Sequence, residues 1–365
     1  MEAVVASKGL EFNPDKSVFI LTGDKKFKEK MSSQLEDSPL MLCDNKMKQV
    51  EEYSYLGETI SGLGVGNSAL STIKKRYGVA YKAIFEIKTI VEDTRSNVPG
   101  GFMCGIKLWE IGVLPALMNS AECWVDLPNE AIDKLNKLQE TFYSVLLCSP
   151  VSCPKPGLYW FTGGLLPKNR IIQKKLMFAF HLVNLDKESL ASEVLSSQRR
   201  FEFPSLWQEV LGFLRELEIS LEELEESSKY EFRKKVKARI TKKNEKDLLL
   251  WMEPYKKLNS KELSQEEFKT KDYFHELNLG KARTKFAIDT SMLKTVKSNF
   301  ASDRKYEDDM WQCEQCSRVD SIRHLIRCPF FAELRVDKDL KNNNEDIVEY
   351  FQEIVRYRLE QAQHL

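Results

Sequence analysis

The sequence predicts a mainly α-helical protein with a small β portion at the N-terminus and a zinc-knuckle-like module near the C-terminus. Three observations support this fold class. Apolar residues recur three or four positions apart through much of the chain after residue 66, which is the helical period. A short apolar run at 18–21 lies between turn-forming residues, as a buried strand would. Three cysteines and a histidine crowd into residues 313–328, where they could bind a metal ion.

The composition is that of a globular protein rather than a disordered or fibrous one. Of the 365 residues, 42% are hydrophobic, and the 55 basic and 55 acidic side chains are equal in number. Because bulk charge does not favour a polyanion, nucleic-acid binding would depend on local basic clusters. No stretch reads as a membrane span, and the eight cysteines lack the pattern of a secreted disulfide scaffold. We therefore expect no membrane partner and a nuclear or cytoplasmic protein.

The first elements along the chain are extended. Val18–Leu21 predicts a short strand, and residues 47–60 predict a second extended piece. Gly62, Gly64 and Gly66 follow. A phosphate-binding loop and a hairpin-to-helix turn are both compatible with these glycines. The turn is favoured, because no Lys-Ser/Thr pair follows.

Helices are predicted from there onward. Asn67 and Ser68 can cap the first, which Pro99 ends. The others are expected at about 102–121 with a kink at Pro115, at 129–148 and at 168–184.

A loop and a further pair of segments complete the predicted order. Residues 148–167, with four prolines and a glycine pair, predict a loop and a domain boundary. Ser220 with Glu223 forms a capping box for an acidic helix, which residues 229–246 continue as a basic one.

The strongest chemical signal is a set of metal-ligand residues, namely Cys313, Cys316, His324 and Cys328. Two thiolates so close in sequence can hold a tetrahedral ion from a tight turn, and we expect His324 and Cys328 to project from one side of a helix. Asp320 or Ser321 could begin that helix. Four such ligands favour a closed, structural zinc site without a catalytic water. The alternative is a chance coincidence of thiols in a buried turn.

Basic clusters are the second signal. Residues 229–246 contain nine Lys/Arg and two Glu, and the candidate nucleic-acid contacts there are Arg233, Lys234, Lys235, Lys237, Arg239, Lys242 and Lys243. An ordinary solvated helix face, balanced by the acidic residues at 222–226, is the equally plausible alternative. Lys74, Lys75 and Arg76 form a smaller cluster, for which the solvated face is favoured.

Several short motifs then occur in a specific order, at Gly9–Ser17, Tyr55–Gly57, Leu108–Trp109, Val113–Pro115, Glu122–Trp124 and the Cys/Cys/His/Cys set. In this order they resemble the C-terminal part of the reverse transcriptases of non-LTR (LINE-type) retrotransposons. The resemblance covers almost the whole chain. One departure is that three residues separate His324 from Cys328, where the family usually has four.

The resemblance implies five regions, which are a palm remnant with a primer-grip-like hairpin (1–61), a helical thumb-like region (62–150), a helical C-terminal region (151–300), a CCHC zinc-knuckle-like module (301–335) and a C-terminal helix (336–365). Lys16 matches the palm lysine that acts as a general acid. Tyr55, Leu56 and Gly57 match the primer-grip hairpin. The helix with Lys74, Lys75 and Arg76 would face the template–primer duplex.

The resemblance also implies what the chain is not expected to do. The carboxylates that hold Mg²⁺ in this family belong to motifs upstream of the one at Gly9, so we expect this chain neither to hold Mg²⁺ nor to polymerise DNA. It reads as a truncated reverse transcriptase tail that binds RNA or an RNA/DNA hybrid, with the missing polymerase half as a further partner. The alternatives are a fragment of an active RNA-directed DNA polymerase with a misplaced start and a helical interaction protein with structural zinc.

Overall fold

A computed structural model describes residues 16–42, 45–200, 204–255, 263–293 and 315–363, with single positions at 7, 9, 13, 258, 312 and 313. Within these residues the chain is mainly helical, and its few named strands are short and lie before residue 62. This confirms the predicted fold class at that level. Most of the palm-like motif before Lys16, and residues 301–311 of the predicted knuckle module, lie outside the described residues.

The named strands are β1 (Val18–Phe19), β2 (Met41–Leu42), β3 (Asn45–Lys46), β4 (Lys48–Gln49), β5 (Glu52–Tyr55) and β6 (Glu58–Ser61). They pair two by two. β1 is parallel to β4, while β2–β3 and β5–β6 are antiparallel hairpins, with Tyr53 opposite Ile60 in the latter. The strand expected at 18–21 is therefore shortened to two residues.

The helices of the first half are α1 (Lys25–Asp37), α2 (Val65–Arg95), α3 (Gly101–Leu108), α4 (Leu114–Leu117), α5 (Asn129–Leu147), α6 (Lys155–Thr162) and α7 (Pro167–Val183). Those of the second half are α8 (Leu190–Arg200), α9 (Leu206–Glu216), α10 (Leu221–Glu226), α11 (Lys229–Met252), α12 (Tyr273–Glu276), α13 (Leu279–Asp289), α14 (Ile322–Leu325) and α15 (Asn344–Gln363). None of the described helices combines the length and apolar character that crossing a membrane requires.

The loop expected at 148–167 is wrong, because α6 occupies its centre. Leu158, Tyr159 and Trp160 are fully buried there. Three of the four prolines that indicated a loop lie before or in the first turn of α6, and the fourth, Pro167, begins α7; a missing N–H is tolerated at a helix start. Gly163 ends the helix with φ of +67°. These residues are start and stop signals of a short buried helix.

Two other helix predictions are confirmed in part. The helix expected at 102–121 runs without a break from Gly101 to Leu117, and a π-helical turn at Trp109–Val113 lies between α3 and α4, just before Pro115, where a kink was expected. The capping box of Ser220 and Glu223 is confirmed, but α10 ends at Glu226. A second reciprocal pair, Ser228 with Glu231, begins α11 as a separate helix.

The chain divides into two compact units, each built from three segments. The first unit comprises Met1–Val79, Leu117–Leu135 and Arg170–Val236, and the second comprises Ala80–Ala116, Asn136–Asn169 and Lys237–Leu365. The five regions implied by the resemblance are consecutive in sequence, and they stay predictions.

The second unit has an aromatic core. The rings of Trp109 and Phe142 stack with centroids 4.5 Å apart, and those of Phe102 and Phe274 with centroids 4.1 Å apart. All four side chains are buried. Rings of this size contribute much of the apolar area that a helical core removes from water.

The N-terminal part of the first unit is different. Among the described positions from 16 to 58 no residue is buried, and Thr59 is the first that is. The apolar run Val18–Leu21 is only half-buried, and α1 contains no buried residue. The short strands therefore have little core of their own.

Gly62 and Gly64 lie in the hairpin-to-helix turn that the sequence favoured, since β6 ends at Ser61 and α2 begins at Val65, and Gly66 lies in the first turn of α2. Each has a backbone reason. A Cβ on Gly62 would lie 2.6 Å from the carbonyl oxygen of Leu21, Gly64 has φ of +112°, and a Cβ on Gly66 would lie 2.1 Å from the carbonyl oxygen of Asp126.

Two alanine substitutions within α2 test this explanation. Gly66→Ala should lower the free energy of unfolding by about 1–3 kcal/mol, because the backbone at Asp126 must move. Gly78→Ala, with no atom within 4 Å of the new Cβ, should raise it by up to about 1 kcal/mol through helix propensity. Urea denaturation measures both. Equal effects of the two substitutions would contradict the steric argument.

Candidate metal centre and nucleic-acid interface

A tight turn brings the first two cysteines of the cluster together. Gln312 and Val319 form an isolated antiparallel bridge, and the N–H of Cys313 donates to the carbonyl of Arg318 at 2.7 Å. The N–H of Ser317 donates back to the carbonyl of Cys313 at 2.8 Å, with Ser317 in the left-handed region at φ of +53°. This backbone geometry places two thiols on one side of the turn.

The third ligand residue lies in α14, which Ser321 caps as predicted. The hydroxyl of Ser321 accepts a hydrogen bond from the N–H of His324 at 3.1 Å. The expected common helix for His324 and Cys328 is wrong, because α14 ends at Leu325 and a short 3₁₀ turn begins at Pro329. Cys328 reaches the cluster from the connection between them.

The four ligand atoms, from Cys313, Cys316, His324 and Cys328, lie within 4.8 Å of one another. The Sγ atoms of Cys316 and Cys328 are 3.8 Å apart, and Cys316 Sγ is 3.3 Å from His324 Nε2. Two thiolates bound to zinc at the tetrahedral angle lie about 3.8 Å apart, and a thiolate and an imidazole nitrogen about 3.6 Å apart. The arrangement therefore fits a structural metal such as zinc.

The pKa shifts of the cluster residues differ in direction. A hydrogen bond from the backbone of Arg318 lowers the pKa of Cys316, whereas burial raises the pKa of Cys328. Burial lowers the pKa of His324 and so favours the neutral imidazole that a metal requires. Deprotonation of the remaining thiols would accompany metal binding.

Helix α15 holds the cluster from outside. The hydroxyl of Tyr350 donates to the carbonyl of Leu325 at 2.6 Å. Arg358 makes a bidentate pair with Asp320 at 2.9 and 3.0 Å, and the carboxylate of Asp320 is fully buried. The residues that flank His324 are thereby fixed on both sides of α14. No local pattern in the sequence indicates these partners.

The predicted basic residues of α11 fall into two groups. A buried stripe recurs every four residues along this helix, at Phe232, Val236, Ile240, Asn244 and Leu248. Lys235 pairs with Glu223, and Lys243 pairs with Asp247 at 2.9 Å. Arg239 is half-buried. The exposed cations, which have no ion pair within the described part of the chain, are Arg233, Lys234, Lys237 and Lys242.

The primer-grip-like residues Tyr55, Leu56 and Gly57 occupy the tip of the β5–β6 hairpin. Leu56 and Gly57 have φ of +49° and +81°, which is the two-residue turn that suits the twist of β5 and β6. The side chains of Tyr55 and Leu56 are 58% and 82% exposed. The tip therefore presents an aromatic and an aliphatic side chain to solvent.

The small basic cluster of α2 lies beside this hairpin in the first unit. Lys74 pairs with Glu130 at 3.1 Å, and Lys75 donates to the hydroxyl of Ser54 at 3.0 Å, while both remain exposed. Arg76 is different, because its guanidinium is only 16% exposed and meets acceptors inside the protein. Its expected contact with the template–primer duplex stays a prediction.

Sequence reasoning placed Ser68 at the N-terminal cap of α2, which instead begins at Val65, and it missed Thr72. The N–H of Thr59 donates to Thr72 Oγ1 at 2.8 Å, and the N–H of Ser61 donates to Ser68 Oγ at 2.8 Å. Their spacing was a usable signal: Ser68, Thr72 and Arg76 are four residues apart and so lie on one face of the helix, which is otherwise apolar. Polar residues in such a face indicate a polar partner.

Lys16 lies on the surface near the N-terminus. Its backbone N–H donates to the carbonyl and to the side chain of Asn13, at 3.2 and 3.1 Å. No described neighbour supplies the rest of a catalytic site to it, so its role as a general acid stays a prediction.

Comparison of the chain with models of known protein families, with curated proteins and with solved structures finds no match. The geometry of its own residues is therefore the basis for the function proposed below.

Metal analysis tests the cluster directly. The purified protein should hold one zinc ion per chain, and chelation should lower its melting temperature, because metal binding and folding are coupled in such sites. Cys316→Ala should abolish stoichiometric zinc, whereas Cys148→Ala, at an exposed thiol, should retain it. Plasma mass spectrometry and thermal denaturation provide the two measurements. A zinc-free protein whose melting is indifferent to chelator would rule out the metal site.

Proposed function

We propose that this chain is the thumb and C-terminal part of a LINE-type reverse transcriptase, and that it binds RNA or an RNA/DNA hybrid without catalysing synthesis. The observation that carries the proposal is the hairpin tip. Tyr55 and Leu56 are exposed there, and the exposed Lys75 donates to Ser54, the residue before Tyr55. Lys74 is exposed one position earlier on the same helix. An exposed ring next to cations is the combination that stacks on bases while binding phosphates.

The ion pairs of this surface leave it available to a polyanion. Lys74 and its partner Glu130 are both about half exposed, with side-chain exposures of 49% and 54%. Surface pairs of this kind contribute little, about 0–1 kcal/mol, so phosphate can replace the carboxylate. The hydrogen bond of Lys75 to Ser54 leaves the charge of the ammonium group uncompensated.

The outer face of α11 supports the same proposal independently. The buried stripe of this helix directs Arg233, Lys234, Lys237 and Lys242 toward solvent, and neutralising partners for them are lacking among the described residues. Exposed cations along one helix bind phosphate through counterion release. The Cys/Cys/His/Cys cluster has a structural role in this proposal, since its four side chains would fill all four tetrahedral positions of a bound zinc ion.

A partner that supplies the rest of the polymerase is part of the proposal. The described residues from 16 to 58 contain apolar side chains but no buried one, as expected of a segment whose packing partner is another polypeptide. The competing hypothesis is a fragment of an active polymerase with a misplaced start. Translating the DNA upstream of Met1 in frame distinguishes the two hypotheses. A reading frame that encodes an apolar-flanked pair of aspartates would favour the enzyme.

Salt dependence tests the cations of α11. Binding to a fluorescent RNA/DNA hybrid should weaken steeply with salt, and replacing Arg233, Lys234, Lys237 and Lys242 with Gln should reduce the slope of log K against log salt by about 3. Anisotropy titrations between low and physiological salt give the slope. The matched control replaces four exposed lysines elsewhere with Gln, namely Lys137, Lys168, Lys187 and Lys341. Equal slopes for the two variants, or no binding by the wild type, would favour a helical interaction protein with structural zinc.

The hairpin tip gives a different signature. Tyr55→Ala should weaken binding about tenfold at constant salt, which corresponds to the loss of one stacked base. The salt slope should stay at the wild-type value, because no charge is removed. Leu190→Ala, at an apolar side chain that is 75% exposed, is the control. Wild-type affinity in Tyr55→Ala would remove the tip from the interface.

A further inference from the structure

The β5–β6 hairpin lacks a third strand among the described residues, and an isolated two-stranded hairpin is marginally stable in water. Helix α2 takes the place of that strand. The outward N–H groups of β6, at Thr59 and Ser61, donate to Thr72 and Ser68, each at 2.8 Å. Side-chain hydroxyls of a helix thus satisfy the edge of the strand.

These helix-to-hairpin hydrogen bonds form a ladder whose first two rungs are Ser68 with Ser61 and Thr72 with Thr59. Arg76 forms its third rung. Its guanidinium donates to the carbonyl of Gly57 at 2.8 Å and to Glu58 Oε1 at 2.5 Å. Positions 68, 72 and 76 of the helix therefore meet positions 61, 59 and 57 of the hairpin in order. Four helical residues rise about 6.0 Å and two strand residues about 6.6 Å, so the two repeats stay in register over three rungs.

The last rung also connects the hairpin to a second segment of the first unit. Arg76 donates to the carbonyl of Asn119 at 2.9 Å, and Glu58 Oε2 accepts from the indole N–H of Trp124 at 3.2 Å. The turn at Leu56 and Gly57 follows directly on this rung. Its place relative to α2 is consequently set by polar contacts rather than by apolar packing of the tip.

We propose that Ser68, Thr72 and Arg76 are positioning residues for the tip: through their hydrogen bonds to the hairpin they fix Tyr55 and Leu56 in the binding orientation. This inference rests on the proposed function. The physical reason is preorganisation. A tip that samples many orientations binds with an affinity reduced by the fraction of time spent in the competent one.

The experiment uses an isosteric pair at the central rung. Thr72 and Thr59 are 1% and 3% exposed, so Thr72→Val keeps the shape but leaves the N–H of Thr59 buried without an acceptor. Thr72→Ser restores the hydroxyl. In Thr72→Val the amide of Thr59 should exchange with deuterium at least about tenfold faster than in Thr72→Ser, and affinity for the RNA/DNA hybrid should fall by a similar factor.

Ile73→Val in the same helix is the control for general loss of stability, because Ile73 is fully buried and takes no part in the ladder. It should lower the melting temperature without a selective rise in exchange at residues 52–61. Unchanged exchange in Thr72→Val overturns the ladder, and faster exchange with wild-type affinity overturns the positioning role. A wild-type protein that binds no hybrid overturns the proposed function, while the exchange comparison still decides whether the ladder holds the hairpin.

Discussion

The fold depends on one constraint, which is that backbone N–H and C=O groups removed from water must find a hydrogen-bond partner. In the first unit, Thr72 supplies that partner to the strand edge. In the second unit, Asn244 does the same from a buried position in α11. It accepts from the N–H of Leu166 at 2.8 Å and donates to the carbonyl of Gly164 at 3.2 Å. Polar residues in helices thus stabilise non-helical segments, and each would be costly without its partner.

Local signals account for what the sequence predicted well. The helix expected at 129–148 is observed as Asn129–Leu147, because its apolar period and its ends are encoded within a few residues. The cap at Ser321 and the spacing of the four metal-ligand residues are local for the same reason. The helix α6 was missed because prolines and glycines are typical of loops, whereas here Pro154 and Gly163 mark the start and the end of a buried helix.

Long-range pairs account for what could not be predicted. Arg358 and Asp320 are 38 positions apart, and neither residue carries a local sign of the other. In the sequence, Arg76 is one member of a basic triplet. Only the three-dimensional structure shows that its guanidinium binds Gly57 and Glu58 of the hairpin. The net charge of zero does not show such local differences. The same helix, α11, carries a paired lysine, Lys235 with Glu223, and exposed cations such as Arg233.

The division into units that each draw on three separated segments has a consequence for biosynthesis. The last segment of the first unit ends at Val236, and the last segment of the second unit runs to Leu365. The first unit therefore cannot be completed before Val236 has left the ribosome. Until then the apolar residues of its earlier segments lack their final neighbours, so they stay exposed for longer than in a chain whose domains are consecutive in sequence.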